Sequence, residues 1–372
     1  MDSHEASVPP PSTEVQQTLG QKLVRTAALL FGVGLFAYTL RDLQITDLGR
    51  LLAEIGPACV LVAVPQAVGI LFHTAAWKEL LAALKSRAPY FALVGLYVEA
   101  EAVRMALPAG PAISESFSAW QLKSRFEVAW TRSLASMAAK KAWVLCSHAA
   151  CFVLLLLVGH EAFARLAANT PGGFALGWVA AGTAACLLLA GTLTIVLLAS
   201  RRAGRVVTSI LSRAPWKKLR AWAEEQQSRP EAVAAASIPA KSHAAAGLLM
   251  LGQWLTEIAE TWLILHLVGI PVTFTEAFVV ELGGSLVRSL AFVVPGGLGV
   301  QDASYVSLLS GLGVASPESG AVAAFVLLKR AKDIFYVALG LGLFALGNRT
   351  RSRVFRDQKK PISAPTLVEN QL

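Results

Sequence analysis

Arg288, Asp302, Lys329 and Arg330 stand in stretches of sequence otherwise almost free of charge, and so do Arg104, Glu115 and the pair Lys140-Lys141. An ionisable group in an apolar stretch long enough to lie in a bilayer is costly unless it is paired or wetted. Such groups therefore mark a place that handles charge. Their cations suit an anionic or hydroxyl-rich headgroup, and carboxylates beside them can orient the cations or accept hydroxyls. On this reading Arg104 and Arg288 bind the headgroup, with Lys329 and Arg330 beside them, and Glu115 and Asp302 orient those cations or accept headgroup hydroxyls. Some charges could instead neutralise themselves on one helix face, since Glu101 and Arg104 are i,i+3, as are Arg330 and Asp333. Glu257 and Glu260 are like charges at the same spacing, with Glu281 further on. They need a basic partner, a raised pKa or water. They are also the residues a membrane-embedded lipid-modifying enzyme would use as acid and base.

These residues are framed by a pattern that occurs twice, Pro-x-Gly-x-x-x-x-(Asp/Glu), each time with an arginine just before it. The first copy is Arg104, Pro108, Gly110, Glu115 and the second is Arg288, Pro295, Gly297, Asp302. A basic pair follows each proline by about 33 residues, Lys140-Lys141 and Lys329-Arg330. Composition alone predicts roughly 0.1 such pattern per chain, which points to an internal repeat. The prolines and glycines of 108–111 and of Pro295-Gly296-Gly297-Leu298-Gly299 either kink one helix or break it. A break exposes free N–H groups at the start of the following half-helix, a site suited to phosphate.

The elements that must carry these residues are membrane helices. Hydrophobic residues make up 55% of the 372 and charged ones 15%, with a mean hydropathy of +0.56. The apolar runs are continuous rather than alternating, which favours helices over a barrel. The chain is therefore expected to be all-α and polytopic, with six spans near 24–40, 57–77, 142–159, 175–199, 243–267 and 320–347. Two broken segments, 90–121 and 276–313, lie between them. Their second arms are short for a span, which favours re-entrant hairpins over pairs of full crossings. The net charge of +9 is concentrated beside apolar segments, with nine Lys/Arg in 200–242 and six from 348 onward. That bias places the 200–242 loop and both termini in the cytoplasm and explains the basicity without nucleic acid. The two hairpins then enter from opposite faces, an inverted-topology repeat of about 57–159 and 243–347. The domain reading is a disordered 1–20, one membrane domain over 21–347, and a basic tail over 348–372. No signal peptide is expected.

Enzyme signatures are scarce. The chain carries no GxxxxGK[ST], no HExxH and no paired His/Cys ligand set, so no catalytic residue, metal or cofactor is assigned. Four cysteines in apolar segments read as small buried hydrophobes.

The run Val294-Pro-Gly-Gly-Leu-Gly-Val-Gln-Asp302, followed by Lys329-Arg330-x-x-Asp333, resembles the flippase-like family built on the transmembrane region of lysylphosphatidylglycerol synthases. Glu257-x-x-Glu-x-Trp262, Glu281, Arg288 and the glycine run through Gln301 are similar to its hopanoid-biosynthesis-associated branch. In the first half Ser114 stands where glycine is expected, and Lys140-Lys141 where an acidic–basic pair is expected. The resemblance implies a bacterial inner-membrane protein that moves or presents a lipid of hopanoid, polyprenyl-phosphate or phospholipid class. Glu257, Glu260, Glu281, Gln301 and Asp333 would support the site. The synthase's soluble aminoacyl-transferase domain is expected to have no counterpart. The rival readings are a scaffold for lipid-biosynthesis enzymes and the lipid-modifying enzyme.

Overall fold

The structure is a computed structural model that describes residues 53, 55–107, 109–170, 175–199, 209, 238–291, 293–317 and 319–358. The expected span near 24–40, the first 20 residues, most of the basic loop and the end of the tail lie outside the described residues. So does Pro108.

Within the described residues every regular element is helical. A 3-10 turn over Gly56–Val62 leads into α1 (Ala63–Ala83), followed by α2 (Tyr90–Ala106) and α3 (Gly110–Phe126). Then come α4 (Trp130–Val158), the short α5 (His160–Asn169) and α6 (Leu176–Ala199). The second half contains α7 (Ala240–Leu267), α8 (Phe274–Leu290), α9 (Val300–Gly311) and α10 (Gly320–Gln358). Helices thus stand at five of the six expected spans, and each broken segment is two helices. The 3-10 turn with α1, α4 and residues 176–196 of α6 are long and apolar enough to cross a membrane. α7 and α10, of 28 and 39 residues, have the length but carry ionisable groups in their middles. Their buried charges point inward, while α6 shows Trp178, Leu189 and Val196 outward. The protein is an all-α polytopic membrane protein.

The breaks follow from local chemistry. A residue before proline is pushed out of the α region, and Leu107 is extended (φ −113°, ψ 144°). Ala109 then takes a left-handed φ of 53°, and α3 restarts at Gly110 with Pro111 in its first turn, where the missing N–H costs nothing. A Cβ at Gly110 would lie 1.9 Å from the Arg104 carbonyl oxygen, so only glycine lets the chain fold back this tightly. In the second half Gly296, Gly297 and Gly299 have φ of 58°, 63° and 76°, which glycine adopts without steric cost. Upstream, α8 is started by a capping box in which Thr273 and Glu276 satisfy each other's backbone N–H groups.

Packing brings the two halves together. α1 lies along α7, α10 along α2, and α4 along α6, while α2/α3 and α8/α9 form the two hairpins. Gly340 of α10 sits against the Val98 carbonyl of α2, the close backbone approach that holds helices together where lipid removes the hydrophobic drive. The turn Pro295–Gly297 touches α2, and Gly296 lies against Met105. The two breaks therefore meet inside the bundle. Cys146 and Cys151 are buried as expected, whereas Cys186 is on the exposed face of α6.

Candidate functional site

The break in the second half is built around Asp302. It is the third residue of α9, its Oδ2 accepts the Gly299 N–H at 2.8 Å, and it is fully buried. Arg330 of α10 donates its Nε to Asp302 Oδ1 at 2.8 Å. The remaining guanidinium donors reach the carbonyls of Gly296 (3.1 Å) and Gly297 (3.4 Å) and the carboxylate of Asp333 (3.3 Å). Non-helical backbone at membrane depth must have its polar groups satisfied by protein or water. Arg330 does this for the second break while still lining the cavity of the site.

Next to it, Lys329 bridges two buried carboxylates, at 2.9 Å from Glu260 Oε1 and 2.8 Å from Glu281 Oε2. Lys332 takes Glu260 as well, at 2.8 Å. Glu281 also accepts the hydroxyls of Thr261 and, at 3.3 Å, Tyr305, whose oxygen accepts from Gln301 Nε2 at 2.7 Å. Both lysines take the same oxygen of Glu260, and its buried Oε2 has no hydrogen-bond partner.

The first half repeats part of this arrangement. Glu115 of α3 pairs with Lys140 of α4 at 3.0 Å, as Asp302 of α9 pairs with Arg330 of α10. Each copy's acid is therefore taken by the basic pair of the helix after its hairpin. Glu115 and Asp302 are thus paired with the basic pairs, and no ion pair joins them to Arg104 or Arg288 among the described residues. Lys140 also lies 4.8 Å from the Trp77 ring centroid, a cation–π contact. Arg104 is held by Glu101, with Nε at 2.7 Å, so the local i,i+3 pair forms. Arg288 has serine at the equivalent spacing, Ser285, and among the described residues it makes no ion pair or hydrogen bond.

The charged side chains of this arrangement line one cavity of about 420 Å³. It carries seven acidic and seven basic side chains, so its charge cancels and most of it cancels in direct pairs. Among the described residues Arg288 and Lys141 are the lining cations without a carboxylate partner. Glu257 is the lining acid without a cation, its one contact being the Gln253 amide. Two histidines, missed by sequence reasoning, complete the wall. His148 bonds Ser285 at 3.0 Å and stacks on Trp254 at 4.0 Å between centroids. His73 is 7% exposed, and neither ring nitrogen has a hydrogen-bond partner. The signal for His73 was available, because Gln66 lies seven residues earlier and shares its helix face and the cavity. Arg125 clamps the first hairpin through two bonds to buried Glu99, at 2.9 and 2.7 Å.

A family model described as the lysylphosphatidylglycerol synthase TM region matches residues 25–345. The chain belongs to that family. The match to the lysylphosphatidylglycerol synthase TM region spans both hairpins and every residue that lines the cavity. No curated protein sequence matches the chain.

Proposed function

We propose that this protein is a lipid transporter of the flippase type, in which the cavity holds an anionic or polyhydroxylated headgroup while the tails stay in the bilayer. One observation carries the reading: Arg288 and Lys141 are unpaired in a cavity whose other lining cations are bound to carboxylates. A guanidinium and an ammonium kept free at a site shared by both halves favour an incoming anion. The aliphatic walls, Val144, Leu145 and Leu187, give the first carbons of the tails an apolar surface.

The hairpins are re-entrant on this reading. α9 has 12 residues, about 18 Å of helix, against about 30 Å of hydrocarbon. The two hairpins form an inverted repeat with their breaks in contact, and rocking of the halves exposes the cavity to each side in turn. Residues 21–347 form the transporting domain, with both termini and the 200–242 loop on the cytoplasmic side of a bacterial inner membrane. The hopanoid-associated branch is the nearest assignment from the motif through Gln301. The test is headgroup-labelled phospholipid scrambling in vesicles with purified protein. Arg288→Ala and Asp302→Asn should each slow it at least about tenfold, the loss of roughly 1.4 kcal/mol of stabilisation. Unchanged rates in both variants sink the proposal.

A further inference from the structure

Glu257 is the part of the cavity that anion binding does not explain. It is half-buried on α7, one turn from Glu260, and its one hydrogen bond among the described residues comes from the Gln253 amide of its own helix. The charged and titratable groups facing it are Arg288 and Glu281 from α8, Lys332 from α10 and Glu260 from its own helix. Tyr97 of α2 and Cys151 of α4 also feel its charge. His73 of α1 and His148 of α4 share the wall. Lys332 is already bound to Glu260 and Asp333, and Glu281 is bound to Lys329. Of the two unpaired lining cations, Arg288 and Lys141, Arg288 is the one that faces Glu257 and can compensate its carboxylate, although no ion pair joins them.

An anion placed on Arg288 removes that compensation and adds a second negative charge beside Glu257. Two like charges in a low-dielectric site do not both persist, and the carboxylate takes a proton. We propose that Glu257 is a proton-binding site loaded together with the anionic headgroup, so that the cavity carries one proton with each phosphate anion. This rests on the headgroup reading above. The balance is simple: a singly charged phosphodiester enters, a proton from water joins a Glu257 oxygen, and the cavity's net charge is unchanged. Movement of the loaded cavity is then electroneutral and responds to a pH difference across the membrane rather than to its voltage.

The sign of the pH dependence follows. Binding is strongest where protons are abundant and weakens as pH rises, by up to about tenfold per pH unit for one linked proton. The experiment is calorimetric titration of the full-length protein in detergent with short-chain phosphatidylglycerol, in two buffers of different ionisation enthalpy. The probe is a phosphodiester and keeps its single charge across the neutral range, so any proton uptake belongs to the protein. At mildly alkaline pH wild type should take up close to one proton per probe bound, and Glu257→Gln should bind with an uptake near zero. Binding with no proton uptake by wild type overturns the coupling and leaves the headgroup reading intact. Absence of binding by wild type overturns both. Uptake that persists in Glu257→Gln moves the proton to a histidine and overturns the assignment to Glu257. A variant that fails to fold does not shield the proposal, because a wild-type proton count near zero overturns it without any variant.

Discussion

Replacing Lys329 by methionine asks how much of the bundle's stability depends on one buried cation. Lys329 is 6% exposed and shared between Glu260 at 2.9 Å and Glu281 at 2.8 Å. After the change Glu260 keeps Lys332, but Glu281 keeps only the hydroxyls of Thr261 and Tyr305. One buried carboxylate is left uncompensated, which costs about 3–5 kcal/mol. At about 2 °C per kcal/mol the Tm falls by about 6–10 °C. Nine tryptophans supply the fluorescence signal for thermal unfolding in detergent. The double variant Glu281→Gln with Lys329→Met removes both charges of that branch and should regain much of the loss, a coupling of about 1–3 kcal/mol. The reasoning is refuted if Lys329→Met stays within about 1 kcal/mol of wild type, or if the double variant loses the sum of the two single losses.

Two further changes test the local architecture by the same measurement. Gly110→Ala forces a Cβ onto the Arg104 carbonyl and should cost about 1–3 kcal/mol or more, whereas Gly342→Ala, with nothing within 4 Å of an added Cβ, should cost little; equal effects would contradict the tight-turn account. Thr273→Ala removes half of the capping box that starts α8 and should cost about 1 kcal/mol, with no change in the Tm difference between wild type and Lys329→Met.

What the amino-acid sequence revealed and what it hid divide by distance along the chain. The hairpin breaks were legible because proline and glycine act on their own neighbours, as at Leu107 and Gly299. The Glu101–Arg104 and Arg330–Asp333 pairs were legible because one helical turn separates their members. Partners on different helices were not. Asp302 and Arg330 are 28 residues apart, and Glu99 and Arg125 are 26 apart. Nothing in composition or periodicity says which of several cations a buried carboxylate will meet, so the bonds of Arg330 to Asp302 and to the carbonyls of the break emerge only in the structure. Arg288 was singled out for its apolar surroundings, and its lack of a partner depends on Ser285, a residue with no signal of its own. The membrane character was plain from composition; a cavity's net neutrality emerges only once fourteen side chains converge on it.

The short helix α5 joins α4 to α6, yet it rests on the second hairpin. Ala162 and Leu166 face inward, Asn169 donates to the Gly311 carbonyl at 3.0 Å, and Arg165 pairs with Glu276. Asn169 and Gly311 are 142 residues apart. At the usual 5–20 residues per second, a ribosome needs roughly 7–28 s to travel that distance. For that time α5 exists without the surface it will cover. Its apolar side, one turn wide, suits the boundary between headgroups and acyl chains, so the bilayer can shelter it until the second hairpin arrives. The docking of α5 on the second hairpin therefore joins parts of the chain that are made well apart in time.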